Sequence, residues 1–156
     1  MPRRLLLTGM GPQVVLSPSQ ARKLLAINRD AIDFAMEILP HTTANRGISD
    51  SITRAVIARA YYSVNEFNLR DFCEKLTTGI ISGPSESVLV ALRMFLSTQR
   101  CGTYHQRRTK YWKFERVLRS WLDGRNPSKI AMATYELFPL PQEVDSNAET
   151  DCTSGS

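Results

Sequence analysis

Apolar residues recur at helical spacing in five successive stretches of this chain, and a proline, a glycine or a polar pair interrupts the pattern between them. The first stretch carries Leu24, Ile27, Ala31, Phe34 and Ile38, a spacing that keeps one helical face continuously apolar. Ser17, Pro18 and Gln20 precede it as a capping box, with proline at the first helical position, where its missing N–H costs nothing. The pattern predicts a helix over about 18–39, stopped by Pro40. Arg22, Arg29, Asp33 and Glu37 occupy its solvated side.

A second helix is expected over about 50–64, capped by Ser49 or Asp50, with Ile52, Ala55, Val56, Ala60 and Val64 inward. Tyr61 and Tyr62 cannot both face the core, so at least one hydroxyl needs water or a hydrogen-bond partner. A third helix from Asn68 buries Leu69, Phe72, Cys73 and Leu76 and closes at Gly79. A fourth, over about 85–99, carries Val88, Leu89, Leu92, Phe95 and Leu96 on one side. In the fifth, over about 106–123, Tyr111, Phe114, Val117, Leu118, Trp121 and Leu122 face inward and Gly124 closes the helix. Asn126 and Pro127 open a last helix to about 137, beyond which Pro139 and Pro141 forbid continuation.

No segment alternates for long enough to found a strand. The expected class is therefore all-α, a compact orthogonal bundle of about six helices. At 156 residues the chain suits one domain, able to bury roughly two-thirds of its unfolded surface. Residues 1–13 read as a flexible arm and 14–141 as the helical domain. Residues 142–156 carry Glu143, Asp145, Glu149 and Asp151 with almost nothing to bury, and read as a disordered acidic tail. Arg3 and Arg4 precede Leu5–Leu7, but Thr8, Gly9, Gly11 and Pro12 cut that apolar run short of a secretion signal. No apolar stretch reaches bilayer length, so the expected setting is cytoplasmic, away from membranes.

Charge is concentrated in one place. Between Gln99 and Arg119 lie Arg100, Arg107, Arg108, Lys110, Lys113, Arg116 and Arg119 against the single Glu115, a net +6 where the whole chain carries +5. Interleaved rings give this segment two possible uses. Tyr111 and Phe114 share register with Trp121 and belong to a core, whereas Tyr104 and Trp112 fall off that stripe and are placed to meet bases. The predicted contact set is Arg100, Arg107, Arg108, Lys110, Trp112, Lys113, Arg116 and Arg119. Such cations neutralise phosphate and position a polyanion without reading its sequence.

Catalytic and metal patterns are absent from the sequence. Asp30 with Asp33 and Asp71 with Glu74 are i,i+3 pairs on amphipathic helices, where first-turn or solvent-face charge is the ordinary role. The Gly47–Ser51 run lacks the second glycine of a nucleophile elbow. Gly9 and Gly11 precede Pro12, not the lysine of a phosphate loop. Cys73, Cys101 and Cys152 form no C-x-x-C pair, and although Cys101 and His105 stand i,i+4, His41 is the only other histidine. The sequence therefore predicts no cofactor, no metal and no enzymatic activity. Arg119–Leu137 imitates the start of a helix-turn-helix, but Phe138-Pro139-Leu140-Pro141 stands where the recognition helix belongs.

The succession Asp71-Phe72, Leu76-Thr77-Thr78-Gly79, Val90-Ala91-Leu92-Arg93, Glu115-Arg116-Val117-Leu118-Arg119-Ser120-Trp121-Leu122-Asp123-Gly124-Arg125 and Glu136–Pro141 resembles small uncharacterised helical proteins of bacterial phages, plasmids and other mobile elements. The likeness covers roughly residues 50–141. It implies a bacterial cytoplasmic setting and a non-enzymatic accessory role, and it transfers no catalytic residue. Two partners fit the basic segment: nucleic acid, or an acidic protein met by a protein-interaction or phage-type assembly module.

Overall fold

The computed structural model describes residues 17–42, 45, 47–99, 102–130, 138 and 140. Among these, six α-helices follow one another without a strand: α1 (Pro18–Ile27), α2 (Arg29–Ile38), α3 (Ser51–Ala60), α4 (Glu66–Thr78), α5 (Ser87–Thr98) and α6 (Tyr104–Leu122). A 3-10 turn, Pro84–Glu86, leads into α5. The protein is an all-α bundle. The arm at 1–13, the tail at 142–156 and the stretch 131–137 of the last expected helix lie outside the described residues. Within the described residues no helix is long and apolar enough to cross a membrane.

The single helix expected over 18–39 is two. The Ser17–Gln20 capping box starts α1 as the sequence requires, but Asn28 divides it from α2. Asn28 is fully buried, its Nδ2 donates to the Leu24 carbonyl at 2.9 Å, and its Oδ1 accepts from the Tyr62 hydroxyl at 2.6 Å. An Asn side chain that bonds the preceding turn competes with the helical ladder, and the hydroxyl of the exposed Tyr62 finds a partner here. Of these two helices only α2 contributes buried residues, Ala31, Ile32, Phe34 and Ala35.

Asp50 rather than Ser49 caps α3, accepting from the Ile52 and Thr53 N–H groups at 2.9 Å each. This helix is buried nearly all round, from Ile52 to Ala60. Its faces meet α2 and α6, while α5 packs against both α4 and α6. The third helix begins earlier than Asn68, at Glu66, because Asn65 caps it through the Phe67 N–H at 2.7 Å; it ends at Gly79 in the left-handed conformation, φ 75°. Burial pushes the pKa of the Cys73 thiol, in the middle of α4, upward and keeps it inert.

The largest departure is α6. It starts at Tyr104, two residues before the expected position, because Thr103 and Gln106 form a capping box. Successive residues turn by about 100°, so Lys110, Tyr111, Trp112, Phe114, Glu115, Val117, Leu118 and Ser120, all buried, cover most of its circumference. Part of its predicted polar side is interior, Lys110, Trp112 and Ser120, while Arg116 stays exposed. The helix is central rather than amphipathic, enclosed by α3, α5 and the buried residues Phe138 and Leu140.

The last expected helix does not open at Asn126, since residues 125–130 are irregular. The Asn126 side chain is already engaged elsewhere. Its Oδ1 accepts from the Val88 N–H at 2.9 Å and its Nδ2 donates to the Pro84 carbonyl and the Ser87 hydroxyl at 3.0 Å each. Helix α5 has no side-chain cap of its own, so a residue 38 positions downstream supplies one.

Candidate nucleic-acid interface

The basic segment separates into cations held by the fold and cations left available. Lys110 is 1% exposed; its Nζ donates to the Gly47 carbonyl and forms an ion pair with Asp50. A cation beside the positive N-terminal end of α3 is unfavourable by itself, and the capping carboxylate of Asp50 compensates it. Trp112 is 4% exposed and packs edge-on against Tyr111. Neither residue reaches a ligand: the expectation that Lys110 meets phosphate and Trp112 meets a base is corrected by burial. Tyr104, the other ring expected at the surface, is exposed.

Lys113 and Arg119 are half-buried. The Lys113 ammonium lies 4.5 Å from the centre of the Phe95 ring, a cation–π contact that holds the side chain against α5. Arg119 pairs with Glu115 at 3.6 Å and stacks over Phe138 at 4.0 Å. Glu115 is fully buried, and burial pushes its pKa upward although Phe138, Arg119 and Arg59 act in the opposite direction. The only acid of the basic segment is thus an interior anchor. Arg100 lies outside the described residues.

Arg107, Arg108 and Arg116 remain. The first two sit in the opening turns of α6, partly exposed, and Arg116 is exposed two turns later. Arg116 opens onto a cleft of about 460 Å³ bounded by α6 and the irregular segment that follows it. Arg125 and Lys129 line the same cleft, together with Val117, Ser120 and Ile130. No acidic side chain among the described residues lines it. Among the described residues none of these three cations enters an ion pair. Comparison with protein families, curated proteins and solved structures finds no match.

Arg125 and Lys129 were hidden in the sequence because they follow the Gly124 stop and read as the start of another helix. Their position depends on Asn126, whose three hydrogen bonds fasten the segment to the start of α5. Arg125 is further fixed by its own N–H, which donates to the Ser120 carbonyl at 2.8 Å. Gly124, at φ 72°, makes the turn between them. A second depression of about 360 Å³ on the other side of Arg125 is lined by Lys75, Glu86 and Trp121. There Lys75 pairs with Glu86 at 2.8 Å, so its charge is internally balanced. Among the described residues no three His, Cys, Asp or Glu side chains gather as metal ligands.

Proposed function

We propose that this chain is a non-enzymatic accessory protein that binds nucleic acid through phosphate contacts from Arg107, Arg108, Arg116, Arg125 and Lys129. The observation that carries the reading is the cleft in which Arg116, Arg125 and Lys129 converge with, among the described residues, neither an acid nor an ion pair. The Arg125 N–H bond to Ser120 and the Asn126 side-chain bonds hold this segment and lower the ordering cost of engaging a ligand there. From Arg108 to Arg116 the helix rises about 12 Å, a span covering three to four nucleotides of one strand. Contacts of this kind give affinity with little base preference. The accessory role and the bacterial cytoplasmic setting implied by the mobile-element resemblance belong to the same proposal.

The test is binding of fluorescent duplex and single-stranded oligonucleotides across a salt series. If about four phosphates of a duplex are neutralised, the log–log slope is roughly −3 to −4. Replacing Arg116, Arg125 and Lys129 together with Glu should abolish binding while circular dichroism keeps its helical signal. Absence of binding to either form at about 50 mM salt, where phosphate contacts are strongest, overturns the reading and leaves an acidic protein as the partner of the same cations.

A further inference from the structure

We infer that the cleft between α6 and residues 125–130 is a discrete site for a terminal phosphate monoester, carried by a nucleic-acid end or by a free nucleotide, with Arg116, Arg125 and Lys129 on the phosphate. This rests on the polyanion reading above and narrows it from a charged surface to one cleft. Three features lead there. The cleft of about 460 Å³ is of the size that encloses one small ligand, too small for a duplex to lie within it. Its three cations border one open cleft, so their charge is matched better by a monoester, at about −1.5 to −2 near neutral pH, than by a backbone diester at −1. The remaining lining is mixed: Val117 and Ile130 offer apolar surface to a sugar or base, and the Ser120 side chain adds a hydroxyl.

The arrangement also separates the roles of the cations. Arg107 and Arg108 lie outside the cleft lining and attract any polyanion, whereas the cleft discriminates its end. Guanidinium groups suit this task because their planar forks take two phosphate oxygens at once. Anchoring by Asn126 makes the pocket a property of the fold, since the same residue caps α5.

The experiment uses the full chain and single-stranded 12-mers bearing a 5′-phosphate, a 3′-phosphate or no terminal phosphate, at about 150 mM salt, where exposed charges are largely screened. The expected result is about tenfold tighter binding or more for at least one phosphorylated end. That preference should disappear in Arg125→Glu and Lys129→Glu and persist in the double variant Arg107→Glu, Arg108→Glu, which weakens all three oligonucleotides alike. Among the described residues no histidine or carboxylate lines the cleft, so the preference should shrink as pH falls below about 6, where the monoester takes up its second proton. Competition by a nucleoside monophosphate, with inorganic phosphate as control, separates the sources: displacement by the nucleotide at low concentration assigns the site to a free nucleotide, and its failure beside a strong end preference assigns it to chain ends. Equal binding of all three oligonucleotides overturns this inference and leaves the nucleic-acid reading standing. A saturating nucleoside monophosphate with no oligonucleotide binding overturns that reading and keeps the cleft, and no binding by any probe overturns both.

Discussion

Arg59 and Glu115 hold the two backbone polar groups of one and the same residue. Arg59 Nη1 donates to the Phe138 carbonyl at 2.9 Å, and Glu115 Oε1 accepts from the Phe138 N–H at 2.9 Å. Both side chains are fully buried, and Arg119 covers the Phe138 ring. Phe138 itself is in neither helix nor strand, so these charged side chains satisfy its backbone groups. They also explain why Glu115 of α6 is turned inward: it meets the Phe138 backbone there, while Arg116 beside it stays exposed.

Removing one member of this cluster leaves a buried charge without compensation. Glu115→Ala should cost about 3–5 kcal/mol in urea unfolding. Glu115→Gln retains an oxygen for the Phe138 N–H and should cost distinctly less. Equal losses for the two variants would show that the contact to Phe138 contributes nothing.

Lys110 and Arg108 are neighbours in the sequence with opposite roles. Lys110→Met deprives the Gly47 carbonyl and Asp50 of a partner. Asp50 stays partly exposed and keeps its bonds to the α3 N-terminus, so the expected loss is about 1–3 kcal/mol. Arg108→Ala should change stability by no more than about 0.5 kcal/mol and weaken polyanion binding instead. A larger stability loss for Arg108→Ala than for Lys110→Met contradicts this assignment.

Two left-handed glycines give a controlled comparison. Gly47, at φ +86°, has the Leu96 carbonyl oxygen 2.6 Å from where a Cβ would stand, whereas Gly124, at φ +72°, has open space around it. Gly124→Ala should cost about 1–2 kcal/mol, the strain of the backbone conformation alone. Gly47→Ala adds a clash with the backbone of α5 and displaces the carbonyl that receives Lys110, so it should cost measurably more. Similar midpoints in denaturant for the two variants would remove the close approach of Gly47 to α5 from the account.

The helices were legible where local chemistry set them. Ser17–Gln20, Asp50, Gly79 and the apolar stripe from Val88 to Leu96 all act as the sequence predicts. What escaped depends on long-range pairing. Asn28 carries no local sign that Tyr62 will reach it, and Asn126 reads as a helix start although Val88 engages it from 38 positions away. In the basic segment, spacing alone places Lys110 and Trp112 on a polar side. Only Asp50 and the enclosing of α6 by Phe138 and Leu140 turn that side inward. Arg125 and Lys129 were missed for the same reason, since nothing in Gly124–Lys129 shows that the segment folds back beside Arg116.

Acid titration should reveal the junction between α4 and α6. Glu86 accepts from Lys75 at 2.8 Å, from Trp121 Nε1 at 2.6 Å and from the Ser82 N–H at 2.8 Å. Burial alone raises its pKa, but these hydrogen bonds outweigh burial and hold the carboxyl at about 2. A folded value below the unfolded one near 4.5 means that the ionised group stabilises the protein above that pH, and that this contribution is lost as pH falls through about 2. Glu115, whose pKa is raised by burial, acts in the opposite sense, so wild type alone does not isolate the effect. The difference in unfolding free energy between wild type and Glu86→Gln does. It should be constant from pH 7 to about 5 and shrink steadily towards pH 2. A difference that stays constant down to pH 2 would mean that Glu86 acts by packing rather than by charge.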